Sequence, residues 1–109
     1  NPSSMEKAIA SFAAIKAEKK MVILGDMLEL GSESVTGHAA VVGQLRQIEG
    51  LLAVFVGPQF REAAGEFPAQ LFGSSEDAAE WLRSENPEGY TILVKGSRGM
   101  ALEKVYPLL

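Results

Sequence analysis

Three apolar runs, each closed by a glycine, limit the folds open to this 109-residue chain. They are Met21–Leu24 before Gly25, Leu51–Val56 before Gly57, and Ile92–Val94 before Lys95 and Gly96. A strand with one wet face alternates apolar and polar residues. A continuous apolar run suits a strand covered on both faces, as in a parallel sheet. A shorter run, Ala69–Phe72, supplies one more strand.

Helical spacing fills the intervals between the runs. Met5, Ala8, Ile9, Phe12 and Ile15 predict a helix from about Ser3 to Glu18. Ser3 and Glu6 fit a capping box, and Lys16, Lys19 and Lys20 complement the dipole at the far end. Val35, His38, Val42 and Leu45 form a second stripe with Val41 and Ile48 alongside; Ser34 or Thr36 is the expected cap and Gly50 the expected stop. Pro58 opens a third helix running to about Ala64. Ser74 or Ser75 caps a fourth, with Ala78, Trp81 and Leu82 inward. A last helix is expected from about Met100, with Leu102, Val105 and Tyr106 inward.

This alternation predicts an α/β fold of the Rossmann-like kind: an open, mainly parallel sheet of about four strands with helices on both faces. Right-handed crossovers leave few topologies, and the order 3-2-1-4 is the expected one. It puts the switch point between the first and fourth strands, where open α/β sheets bind ligands.

The ends of those two strands carry the candidate chemistry. Lys95-Gly96-Ser97-Arg98-Gly99 is a glycine-rich turn with two cations ahead of a helical pattern, an arrangement suited to an anion. Asp26 ends the first strand, and the two strand ends are expected to face one another across a crevice. Glu29 lies close enough to reach it. His38, the one histidine, falls on an apolar stripe and is open to either a structural or a functional role. The pattern GxxxxGK[ST] of a phosphate-binding loop is absent, and no metal cluster or Ser-His-Asp motif emerges. A net charge of −4 argues against nucleic acid held by bulk charge, so any anion site must be local. With no cysteine, disulfide frameworks and thiolate chemistry are excluded. The apolar runs are too short to span a membrane. The residues alone leave an enzyme fragment and a stand-alone binding module equally open.

Longer motifs narrow this. Asn1-Pro2-Ser3-Ser4-Met5, then Leu24-Gly25-Asp26-Met27-Leu28-Glu29-Leu30-Gly31, then His38 and Gly43, then Val94-Lys95-Gly96-Ser97-Arg98-Gly99-Met100 with Glu103, occur in a characteristic order and spacing. Over essentially its whole length the chain resembles the C-terminal domain of the Mur ligases. Its two long motifs resemble the branch that joins D-alanyl-D-alanine to a UDP-N-acetylmuramoyl tripeptide.

The resemblance implies an ATP- and Mg²⁺-dependent amide ligase of bacterial peptidoglycan synthesis, working in the cytoplasm. In that family a terminal carboxylate is phosphorylated and the dipeptide amine attacks the acyl phosphate. The resemblance further implies that Lys95, Ser97 and Arg98 contact a substrate carboxylate or the dipeptide, with Asp26 and Glu29 lining the same crevice near the ammonium. Asn1 would be the remnant of a segment near the nucleotide. The catalytic centre, with its ATP loop, would lie in a central domain outside this chain. The chain would be one domain, 1–109, of a longer ligase. Its partners would be the N-terminal and central domains, UDP-MurNAc-tripeptide and D-Ala-D-Ala. Alone it would be inactive and hold no cofactor tightly. The alternatives are a stand-alone anion- or nucleotide-binding module and a sister Mur ligase domain with another amino-acid substrate. An intact-mass measurement on the natural product that carries this sequence is expected to give several times 11.7 kDa; a mass near that figure would favour the stand-alone module.

Overall fold

The computed structural model describes residues 2–109. The elements are α1 (Pro2–Ala14), β1 (Lys20–Gly25), α2 (Ser34–Leu45), β2 (Leu52–Val56), α3 (Pro58–Ala64), β3 (Gln70–Phe72), α4 (Ser75–Glu85) and β4 (Thr91–Lys95). Short 3₁₀ segments cover Gly31–Glu33, Arg98–Met100 and Leu102–Leu108. All strand pairs are parallel and the sheet order is β3-β2-β1-β4, as the sequence predicts.

Strand alternation divides the interior into two layers. Val22, Leu24, Ala53 and Phe55 face α1, α2 and α3, where they meet Met5, Ile9, Phe12, Leu45 and Phe60. Met21, Ile23, Val54 and Val56 face the other way, onto Ala78, Leu82, Leu102 and Val105. Both faces of β1 and β2 are therefore dry, which is why those strands are apolar throughout.

α1 stops at Ala14 rather than Glu18, and the cause is a lysine. Lys20, buried at the start of β1, donates from Nζ to the carbonyl oxygens of Phe12 (2.9 Å) and Ala13 (3.1 Å). These are the acceptors a continuing helix would use. The expected cationic C-terminus is thus supplied across space by a strand residue, and Ile15, outside the helix, is 47% exposed. Ser3 lies in the first turn of α1, not at the cap expected of it.

Two more residues expected inward point to solvent. Val35 is 72% exposed, because it sits at the open N-terminal turn of α2, one turn before the packed stripe His38, Val41, Val42 and Leu45. Tyr106 is 58% exposed for a different reason. The last segment is 3₁₀, not α, so its period is three. Leu102, Val105 and Leu108 then share the inner face, and Tyr106 falls off it. α2 also ends at Leu45 rather than at Gly50. Ser74 caps α4 as expected, its hydroxyl accepting from the Asp77 amide at 3.2 Å.

An exposed ion pair, Lys104 Nζ to Glu76 Oε2 at 2.7 Å, ties the last segment to α4. The Lys104 hydrogen bond holds the Glu76 carboxyl below its usual range, and the same bond raises Lys104. The Glu76 contribution is thus present above the unfolded carboxylate range and fades as pH falls through it. Full exposure and salt screening keep it small.

Urea unfolding of Lys20→Met is expected to show a loss of about 1–3 kcal/mol, since the stem is kept and two charge-assisted bonds to helix carbonyls go. Val105→Ala should cost about 1–3 kcal/mol and Tyr106→Ala no more than about 0.5 kcal/mol; equal losses would show that the final segment is not 3₁₀.

Candidate functional site

β1 ends at Gly25, and the backbone beyond it is held from three directions. Asp26 comes first. Its amide donates to Val56 O (3.1 Å), and its side chain is fully buried. The two carboxylate oxygens accept from the amides of Gln59 (2.8 Å) and Phe60 (2.9 Å), the orphan donors in the first turn of α3. The residue at the N-cap position of α3 is Gly57, which has no side chain to cap with. Asp26 does that work from the neighbouring strand, and its negative charge complements the helix dipole. Gly57 has φ 117°, and a Cβ there would overlap the Asp26 carboxylate, so the glycine is needed for both conformation and space.

His38 holds the next residue. Its ring is buried and packs edge-on against Phe60, with centroids 4.6 Å apart. Met27 N–H donates to Nε2 at 3.0 Å, so Nε2 presents a lone pair. Nδ1 therefore carries the proton and donates to Ser34 O at 2.7 Å. Both ring nitrogens thus bond backbone groups and tie α2 to this loop.

Ser97 provides the third hold. Its amide donates to Asp26 O (3.1 Å), and its hydroxyl accepts from Leu28 N–H (2.8 Å). The end of β4 can come this close because glycine meets glycine: a Cβ on Gly96 would lie 2.8 Å from Gly25 Cα. The two strand ends that the sequence places at the switch point are thus locked to each other.

The expected crevice is correspondingly different from the sequence reading. The Asp26 carboxylate is turned into the protein, away from Lys95 and Arg98, because α3 consumes both oxygens. Glu29 is exposed on the loop and borders neither hollow beside the turn. The larger hollow, about 190 Å³, lies on the α4 side and is lined by Lys95, Ser97, Arg98, Glu103 and Tyr106 over Val94 and Leu102. A smaller one, about 50 Å³, is lined by Met5, Met27, Lys95, Gly96 and Ser97. Lys95 borders both and Arg98 only the larger. No α-helix starts after the turn; a 3₁₀ turn takes its place, so the helix-dipole part of the anion argument drops out and the side chains carry the charge. Among the described residues neither Lys95 nor Arg98 makes an ion pair. Glu103 and Tyr106 were not singled out from sequence as site residues; the period-three spacing of Leu102, Val105 and Leu108 was the signal that could have turned them outward. Among the described residues no three His, Asp or Glu side chains gather as a metal-holding group. Asn1 lies outside the described residues.

Comparison with known proteins accords with this geometry. A family model described as "Mur ligase, glutamate ligase domain" matches residues 1–98. The UDP-N-acetylmuramoyl-tripeptide–D-alanyl-D-alanine ligase of Treponema pallidum (strain Nichols) is 38% identical over 117 residues, covering 100% of this chain and 25% of that protein. The ligase of the same name from Bacillus subtilis (strain 168) is 30% identical over 113 residues, covering 96% of this chain and 25% of that protein. The crystal structure of MurF from Acinetobacter baumannii superposes with a TM-score of 0.78 at 26% identity, covering 98% of this chain and 25% of that one. The chain thus spans about a quarter of the length of the curated relatives it matches.

Asp26→Ala is expected to destabilise the fold by about 2–4 kcal/mol, as two buried amides lose their acceptor. Ser97→Ala should cost about 1 kcal/mol and speed hydrogen exchange at the Leu28 amide specifically.

Proposed function

Because the chain belongs to the Mur ligase family, through its glutamate ligase domain, we propose that it serves as the substrate-holding C-terminal domain of a ligase that joins D-Ala-D-Ala to UDP-MurNAc-tripeptide. The observation that carries this reading is the hollow beyond the end of β4, where Lys95, Ser97 and Arg98 converge on one polar surface. Relatives with the D-alanyl-D-alanine ligase name match over essentially the whole chain, which favours that substrate over the amino acids of sister ligases.

Amide ligation brings a carboxylate component and an amine component together. Both reactants here are charged, and a positive surface attracts the carboxylate of the incoming dipeptide. Lys95 and Arg98 supply that surface. Ser97 fixes it: its amide and hydroxyl bind the β1 loop, so the turn that bears the cations is held before substrate arrives. Asp26 and His38 act behind the site, setting the β1 loop on which Ser97 rests. Glu29, exposed on that loop, is positioned to meet substrate or another domain when the parts of the ligase close. Closure over the hollow would exclude water from the reacting groups.

The family implies ATP and Mg²⁺. The sequence has no phosphate-binding GxxxxGK[ST] loop, and among the described residues no carboxylate or histidine group gathers to hold a metal. We assign both to other domains of the ligase, which makes those domains the partners of this one. Among the described residues no helix is long and apolar enough to cross a membrane.

In the complete ligase carrying this sequence, Lys95→Ala and Arg98→Ala should each lower kcat/KM for D-Ala-D-Ala about tenfold or more, with thermal midpoints close to the parent. The 109-residue chain alone should show no ATP-dependent ligation of D-Ala-D-Ala. Full activity in both variants would remove the turn from the reaction.

A further inference from the structure

The larger hollow carries charges of both signs. Arg98 stands on the turn after β4, and Glu103 stands on the final 3₁₀ segment; both line the same space of about 190 Å³. Among the described residues neither side chain makes a hydrogen bond or an ion pair, so both are available to a ligand. The neighbour of Glu103 does not neutralise it by contact, because Lys104 points to α4 and bonds Glu76 at 2.7 Å. Tyr106 lies one 3₁₀ turn beyond Glu103, on the same side, and is 58% exposed. A hollow walled by two cations, Lys95 and Arg98, and one carboxylate, with an aromatic ring beside the carboxylate, fits a small molecule that carries both a carboxylate and an ammonium. A purely anionic ligand such as phosphate would pair with Lys95 and Arg98 and leave the Glu103 carboxylate without a partner.

We propose that Glu103 binds the ammonium end of the incoming zwitterionic peptide while Arg98 binds its carboxylate, so that Glu103 is a specificity-determining residue for a free amino terminus. The proposal rests on the reading of this domain as the D-Ala-D-Ala-holding part of a ligase. Its contact is with the substrate amine and not with the fold: Glu103 is exposed, and among the described residues its side chain makes no hydrogen bond. Its fixed position comes from the residues on either side, with Leu102 buried in the core and Lys104 anchored to α4.

The test uses the complete ligase with Glu103→Gln and Glu103→Asp, D-Ala-D-Ala as substrate and N-acetyl-D-Ala-D-Ala, which has no ammonium, as competitive inhibitor. Glu103→Gln should raise KM for D-Ala-D-Ala about tenfold or more, leave KM for ATP unchanged, and leave inhibition by the N-acetyl compound unchanged. Glu103→Asp should recover part of the loss. Two results would overturn the inference: an unaltered KM for the dipeptide in Glu103→Gln, or equal weakening of dipeptide and N-acetyl compound, which a structural role would give. A parent ligase that turns over D-Ala-D-Ala beside an indifferent Glu103→Gln sinks only this inference. A parent that does not turn over the dipeptide sinks the proposed function and this inference with it.

Discussion

One buried carboxylate anchors the functional end of this domain. Asp26 leaves β1, passes under the first turn of α3, and satisfies the amides of Gln59 and Phe60. Without it a seven-residue helix would begin at a glycine with no cap. The bond works in both directions, because the helix terminus also fixes the strand end. From that fixed point the chain makes its other attachments in turn: Met27 to His38, Leu28 to Ser97, and Ser97 back to Asp26. An uncompensated buried carboxylate would be costly, and here the cost is met by two short, charge-assisted bonds.

The consequence for function is a division of labour by depth. The buried motif residues in β1 and its loop build the platform, whereas exposed charge sits at Glu29, on the turn after β4 and on the last 3₁₀ segment. A family motif read from sequence mixes the two kinds. Asp26, Ser97 and Arg98 all belong to motifs, yet Asp26 is fully buried, Ser97 is a latch with an atom at the surface, and Arg98 is exposed.

The sheet was legible because its signal is redundant. Each central strand is apolar throughout, each ends at a glycine, and helical spacing separates them, so class, strand number and order follow from few rules. The site was less legible because its facts are distances. A strand-end aspartate reads the same whether it faces a crevice or caps a helix that starts over thirty positions away, and only the missing side chain of Gly57 hints at the second. His38 was ambiguous for the same reason: its shortest bonds are to backbone groups, which leave no mark in a sequence. Tyr106 was misplaced by the choice of period. Three and 3.6 residues per turn agree for Leu102 and Val105 and part company at the next position.

The glycine contact between β1 and β4 has an evolutionary corollary. A side chain on Gly96 would meet the Gly25 backbone, and one on Gly57 the Asp26 carboxylate, so drift at either must displace the sheet or unseat a helix, while one on Gly25 would crowd Met100 and Leu102. The segment from Arg98 to Tyr106 bears no such burden at its exposed positions, since its hold on the core runs through Leu102 and Val105. A lineage could therefore exchange the exposed charges and rings of this segment while inheriting the scaffold unchanged. New preference in such a domain would arise at the rim, with the strand ends as the part that selection keeps still.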